Sequence, residues 1–395
     1  MSDKTNINNN VCPLINEMKV YKEKILNKLS SLAIMKYKGK DFILIGYDYG
    51  KFEIYINNLE LLVISSENIE DYINNLGQLG HNTFAVICKK SIFIYLFYSE
   101  IDSSTNKDNF HISLIQTIKY ESKDGSNVSF FGLKFSKAFI FDDNLYKECD
   151  KMEIDNINEN KTNNKNENNL NNLYNNELII SGTTGIYILE RKKEKNEDDL
   201  ENIDIDTYIN YCKTNKYKMK EQITNLKNYD MIQNNYNYIA GTIDEFLCIY
   251  SKKQHELINK YEASISENCD SIMYMIKENI LCLAGNDTIS LISIKDYDIV
   301  YICSINLNYI ITEICILPDF NILVAIRNRY HSDTKYLHQY KLAFNTNENT
   351  KKMEYNLEFV SQKEINEENS NVTMKCMSDN KIAIIINHEL IQIWE

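Results

Sequence analysis

The chain has 395 residues, 44% of them hydrophobic and 11% aromatic, with 28 tyrosines, one tryptophan, 11 glycines and two prolines. That apolar content is enough for a sizeable core and excludes wholesale disorder. A formal net charge of −13, from 43 Lys and Arg against 56 Asp and Glu, argues against a general nucleic-acid surface, which carries a basic excess.

Residues 1–16 read as a disordered extension without an apolar leader core. A spare strand-like segment, MKVYKEKIL at 18–26, opens a folded part that runs over 17–395. Few segments keep a helical period. What recurs is an apolar strand, a turn and a second strand closing on Ile-Tyr or an equivalent, which is a hairpin signal. It occurs at 42–56, 83–97, 177–190 and 238–250, and in weaker form at 280–294, 321–342 and 381–395. Around these hairpins, inner strands are predicted from 29, near 71–79, from 127, near 229, and from 270, 311 and 371. Outer strands are predicted from 59 and 111, within 207–224, and from 256, 298 and 356. The last hairpin has no outer strand of its own, so the 18–26 segment is expected to supply it, joining the two ends of the fold and removing an open edge.

The second strand of six hairpins carries a large ring, at Tyr55, Tyr95, Tyr187, Tyr250, Tyr340 and Trp394, and Gly46, Gly182, Gly241 and Gly285 end first strands. In these features the chain resembles the WD-repeat family, with Trp394-Glu395 standing where the family has Trp-Asp. The Gly-His dipeptide that begins a good repeat is absent, because Gly80-His81 lies too close to Tyr95, and the structural Asp of the turn has no consistent counterpart. The resemblance implies an all-β fold: a single closed β-propeller of seven four-stranded blades, the N-terminal strand completing the last. An eight-bladed ring is the alternative, because FFGLKFSKAFIFDD at 130–143 could form a hairpin of its own.

Four polar insertions interrupt the repeat. Residues 151–176 hold 12 of the chain's 54 asparagines and cannot bury enough apolar surface to order themselves. Residues 191–206 form a charged loop, and 100–109 and 344–354 read as further loops. All four fall between first and second or third and fourth strands, and so on one face. The opposite face keeps short turns and is the expected docking face.

The ten cysteines are scattered without a paired spacing, most of them in apolar runs, as expected of free thiols in a reducing, intracellular compartment. No stretch reaches the ~18 apolar residues of a membrane span. No phosphate-binding glycine loop, nucleophile elbow or metal-ligand spacing occurs, so neither a cofactor nor a metal is expected, and the chain is read as a non-enzyme. The cluster singled out is Arg327, Arg329, Tyr330 and His331 in the sixth hairpin loop. It holds two of only three arginines, and Arg with Tyr is the pair enriched at interface hot spots. Tyr47 and Tyr49 in the first turn, and Asp244 and Glu245 in the fourth, are further candidates. The resemblance implies a protein-interaction scaffold, one subunit of a larger complex, with other proteins as partners. The alternatives are a phosphoinositide-binding propeller, whose Phe-Arg-Arg-Gly motif finds no arginine within 296–313, and a propeller enzyme.

Overall fold

The computed structural model describes residues 14–19, 28–56, 58–69, 71–79, 82–105, 107–119, 130–132, 177–182, 185–190, 205–214, 216–224, 228–233, 237–242, 246–251, 254, 256–263, 273–277, 280–295, 297–317, 321–328, 335–346, 353–365, 372–377 and 381–394. The N-terminal strand is β1 (Leu14–Lys19). The first sheet holds β2 (Leu29–Tyr37), β3 (Lys40–Tyr47), β4 (Phe52–Ile56) and β5 (Leu61–Ser65), and the second β6 (Ile73–Gln78), β7 (Thr83–Cys88), β8 (Ser91–Asp102) and β9 (Lys107–Lys119). The third holds β10 (Phe130–Gly132), β11 (Glu177–Gly182), β12 (Gly185–Glu190) and β13 (Lys218–Thr224), with the helix α1 (Ile205–Thr214) inserted before β13. The fourth holds β14 (Asn228–Gln233), β15 (Asn237–Thr242), β16 (Phe246–Ser251) and β17 (Leu257–Glu262), and the fifth β18 (Met273–Lys277), β19 (Ile280–Ala284), β20 (Thr288–Lys295) and β21 (Asp298–Asn306). The sixth holds β22 (Ile310–Ile316), β23 (Ile322–Arg327), β24 (Lys335–Thr346) and β25 (Met353–Ile365). In the seventh, β26 (Val372–Cys376), β27 (Ile382–Ile386) and β28 (Leu390–Trp394) are completed by β1. All seven sheets of the described residues are antiparallel and four-stranded.

Neighbouring sheets pack face to face, which explains why the middle strands are continuous apolar runs and not alternating ones: ILVAI in β23 and IAIII in β27 are buried throughout. Buried clusters fill the gaps between the first and second sheets (Phe42, Phe52, Phe84, Phe97), the sixth and seventh (Leu337, Met374, Trp394), and the seventh and first (Ile43, Tyr55, Ile385, Ile393). The inner strand β2 touches both β6 and β26. Gly46, on β3, shows how close the first and second sheets come. A Cβ there would lie 2.3 Å from Ser31 Oγ and 2.9 Å from Ile73 Cγ2 of the second sheet.

A bulge recurs in every sheet at one place. The outer strand gains one residue opposite Tyr55, Tyr95, Leu189, Tyr250, Ile292, Tyr340 and Trp394 of the third strand. The extra residue increases the local twist and disrupts the ladder. This register corrects one sequence expectation: Leu189, not Tyr187, occupies the position in the third sheet, and Tyr187 lies buried two residues earlier.

Four further expectations change. The strand that completes the seventh sheet is Leu14–Lys19, not 18–26, so the region assigned to a disordered extension already contains its beginning. The outer strand sought within 207–224 is half helix: α1 packs on β9, and only Lys218–Thr224 is strand. The loop at 100–109 is largely the two arms of the β8–β9 hairpin, because Phe97 and Phe110 stack at 5.5 Å and both pack on Phe42. Of the loop at 344–354, residues 344–346 belong to β24 and 353–354 to β25, and 347–352 lie outside the described residues. The insertion at 151–176, and 133–150 on which the eight-bladed alternative rests, lie outside the described residues.

Candidate docking face

Among the described turns joining second to third strands, those of the first, fifth and seventh sheets are tied by main-chain hydrogen bonds to the segments that lead into the next inner strand. Ile69 N donates to Gly50 O at 2.9 Å, Ile311 N to Asn286 O at 2.8 Å and Leu29 N to His388 O at 2.8 Å. The last of these joins the seventh sheet to the first by the same bond that joins consecutive sheets elsewhere. His388 adds a second bond there, its Nδ1–H donating to Leu29 O at 2.7 Å. Gly50 is held at φ +91 with Asp71 O only 2.6 Å from where a Cβ would stand, so the first turn requires glycine. Asp71 in turn accepts from Lys90 N at 3.1 Å and fixes the second turn.

The candidates distribute unevenly over this face. Tyr47 is corrected to a core residue: it is 6% exposed, and its hydroxyl donates to Glu53 Oε2 at 2.7 Å, so its ring packs between the seventh and first sheets and is not available to a partner. Tyr49 is half-buried, with its ring 5.6 Å from that of Tyr47. Tyr72 is 48% exposed and lies near Asp48; burial, then that charge, raise its hydroxyl pKa. Sequence reasoning passed over Tyr72, although its place just before a predicted inner strand, next to Asp71, was a usable signal. Arg327 ends β23, paired in register with Ile310 and Lys335, and is half-buried with its Nε shielded from solvent. Arg329, Tyr330 and His331, and also Asp244 and Glu245, lie outside the described residues.

Beneath the face, three of the rings at the bulge register, Tyr55, Tyr340 and Trp394, are held by polar groups two residues earlier on the same strand. Glu53 accepts from Tyr55 Oη at 2.8 Å, from Tyr47 Oη at 2.7 Å and from Lys51 Nζ at 2.7 Å. Burial works against its charge, but these donors outweigh burial and hold the carboxyl below the ordinary carboxylate range. His338 Nδ1 meets Tyr340 Oη at 3.0 Å, and Trp394 Nε1 donates to Gln392 Oε1 at 2.8 Å. Burial pushes His338 down to about 4, against a hydrogen bond with Gln362, so the ring is neutral at pH 7. Among the described residues no group of three or more His, Cys, Asp or Glu side chains comes together, and no helix is long and apolar enough to cross a membrane. Six described cysteines are free thiols, and burial, with the neighbouring Cys303, pushes Cys282 up to about 12.

Sheet order and radial packing define the class: the fold is a β-propeller. Comparison with solved structures bears this out, since the chain is similar to the β-propeller domain of Cps50 (Swd1) from Myceliophteria thermophila, with a TM-score of 0.55 and 8% identity over 97% of this chain and 99% of that one. The likeness is one of fold. No family model matches the sequence, and no curated protein matches it.

Proposed function

We propose that the chain is a non-catalytic interaction scaffold, a closed seven-bladed propeller that serves as one subunit of a multiprotein complex in the cytoplasm or nucleus. The observation that carries the reading is that the described turns of the first, fifth and seventh sheets are tied by backbone hydrogen bonds to the next sheet, the seventh to the first through Leu29 and His388. Rigid turns lose little ordering entropy when a partner binds, which is what a docking platform requires. The partner-binding residues would be Tyr49 on the first turn, Tyr72 on the segment leading into β6, and Arg327, Arg329, Tyr330 and His331 on the sixth turn, with Asp244 and Glu245 on the fourth. The paired tyrosines and the arginines are residue types that dominate binding energy at interface centres.

The test is to purify the tagged chain from its own cells at moderate salt and to identify what accompanies it in near-stoichiometric amount. Replacing Arg327, Arg329 and Tyr330 together by Ala, or Tyr49 and Tyr72 together by Ala, should reduce partner recovery at least tenfold without lowering the melting temperature. Recovery of a lone monomer, or unchanged recovery by both variants, overturns the assignment.

A further inference from the structure

We propose that two carboxylates are positioning residues for the docking tyrosines: Glu53 sets Tyr49 on the first turn, and Asp71 sets Tyr72 on the segment leading into β6. Their role rests on the docking of these two tyrosines and deepens it, since neither carboxylate has to touch the partner.

Glu53 acts from beneath. The turn 48–50 is opened by Tyr47 and closed by Lys51, and Tyr47 N donates to Lys51 O at 2.8 Å. The side chains of the same two residues end on one carboxylate, Tyr47 Oη on Glu53 Oε2 at 2.7 Å and Lys51 Nζ on Glu53 Oε1 at 2.7 Å. The ends of the turn are thus joined twice, once through the main chain and once through Glu53. Its side chain is only 11% exposed, so water competes little for these charge-assisted bonds. The ring of Tyr49 leans on that of Tyr47, with centroids 5.6 Å apart. Fixing Tyr47 therefore fixes the surface on which Tyr49 rests. Holding the ring at the bulge register does not call for a carboxylate, because His338 and Gln392 meet Tyr340 and Trp394 in the sixth and seventh sheets. What Glu53 adds in the first sheet is a bond to each residue that flanks the turn.

Asp71 acts from the side. Its Oδ1 accepts from Tyr72 N at 2.9 Å and its Oδ2 from Lys90 N, in the second turn, at 3.1 Å. Tyr72 O in turn accepts from Lys89 N at 3.0 Å. The backbone of Tyr72 is thereby clamped between Asp71 and the second turn. The same segment is seated on the first turn, where Ile69 N donates to Gly50 O at 2.9 Å. Both tyrosines stand on one frame across the first and second sheets, and rings whose backbone is set before binding lose less freedom on docking.

The test uses the full chain with 3-fluorotyrosine at position 49 alone or at position 72 alone, read by fluorine NMR, alongside recovery of the co-purifying subunits. Glu53→Gln should shift and broaden the resonance at 49 and leave that at 72 as in the parent chain; Asp71→Asn should do the reverse. Each should lower partner recovery about fivefold, the equivalent of one hydrogen bond of about 1 kcal/mol. Glu67→Gln, which removes an exposed negative charge nearby, should change neither readout. If Glu53→Gln does not fold, Lys51→Met, which cuts one of the two ties, should shift the resonance at 49 in the same way. Resonances that neither variant moves, or that either variant moves at both positions together with a lowered melting temperature, overturn the proposal. Unchanged recovery after Tyr49→Ala with Tyr72→Ala would show that the docking reading fails and takes the positioning role with it. Recovery lost with those tyrosines but kept in both carboxylate variants would leave the docking reading standing and overturn the positioning alone.

Discussion

Glu53 gathers two tyrosine hydroxyls and an ammonium in a space almost closed to water, and its neighbours therefore depend on it. Glu53→Ala leaves two buried hydroxyls unpaired and is expected to cost on the order of 2–4 kcal/mol, measured by chemical denaturation. Because the folded carboxyl has a lowered pKa, its contribution is complete above the ordinary carboxylate pKa and is lost as pH falls through the lowered folded value. Glu53→Gln should remove that acid-sensitive part. His338 gives the complementary case. Its folded pKa of about 4 lies below the ordinary histidine value of 6.5, so the unfolded chain takes the proton first and stability declines as pH falls from about 6.5 to about 4. His338→Phe with Tyr340→Phe removes both partners of one hydrogen bond and leaves the half-buried Gln362 to water, so it should cost no more than about 1 kcal/mol at pH 7.5 while abolishing that decline. A decline equal to that of the parent chain would show that other groups carry it. The ring positions were legible in the sequence from their recurrence. Their polar partners were also present, as Glu53-x-Tyr55, His338-x-Tyr340 and Gln392-x-Trp394, but three different residue types doing one job leave no repeated letter to notice.

At the scale of elements, hairpins were legible because continuous apolar runs separated by turn residues can hardly form anything else, whereas outer strands and insertions were not, since half-exposed strands tolerate polar residues. The β8–β9 arms illustrate this. Glu100-Ile101-Asp102 reads as loop, yet Phe97 is fully buried against Tyr37, Phe42 and Phe110 and carries the arms outward. Phe97→Ala is expected to destabilise by about 3–5 kcal/mol. Excising 101–108 and joining Glu100 to Asn109, which face each other in the ladder, through Asn-Gly should change stability by no more than about 0.5 kcal/mol. A large loss on excision would mean that the tip, and not the aromatic stack, orders the hairpin. The helix α1 was missed for a related reason. Its apolar positions are diluted by Asp206, Asn210 and Lys213, and a short amphipathic helix next to a charged stretch resembles a strand with polar neighbours until the surface it covers is known.

For the whole molecule, the decisive relation joins the two ends of the described chain. The prediction that an N-terminal strand completes the last sheet follows from an unpaired edge, and this argument identifies the need without fixing which residues meet it; Leu14–Lys19 does so, pairing with Leu390–Trp394. Two devices then hold the seventh sheet to the first: this strand, and the bonds of His388 with Leu29. Deleting 14–19 bares the edge of β28 and should cost on the order of 3 kcal/mol. His388→Ala should cost about 1 kcal/mol, because the main-chain bond from Leu29 N survives. Both act on one seam, and once either is lost the seam opens more readily and the other contributes less. The combined variant should therefore lose less than the sum of the single losses, by 0.5 kcal/mol or more, in denaturation measured by tyrosine fluorescence. Strict additivity would mean that the seventh sheet is anchored from within and that the seam does not act as a closing latch, in which case the rigidity of the docking face would have to come from each sheet separately.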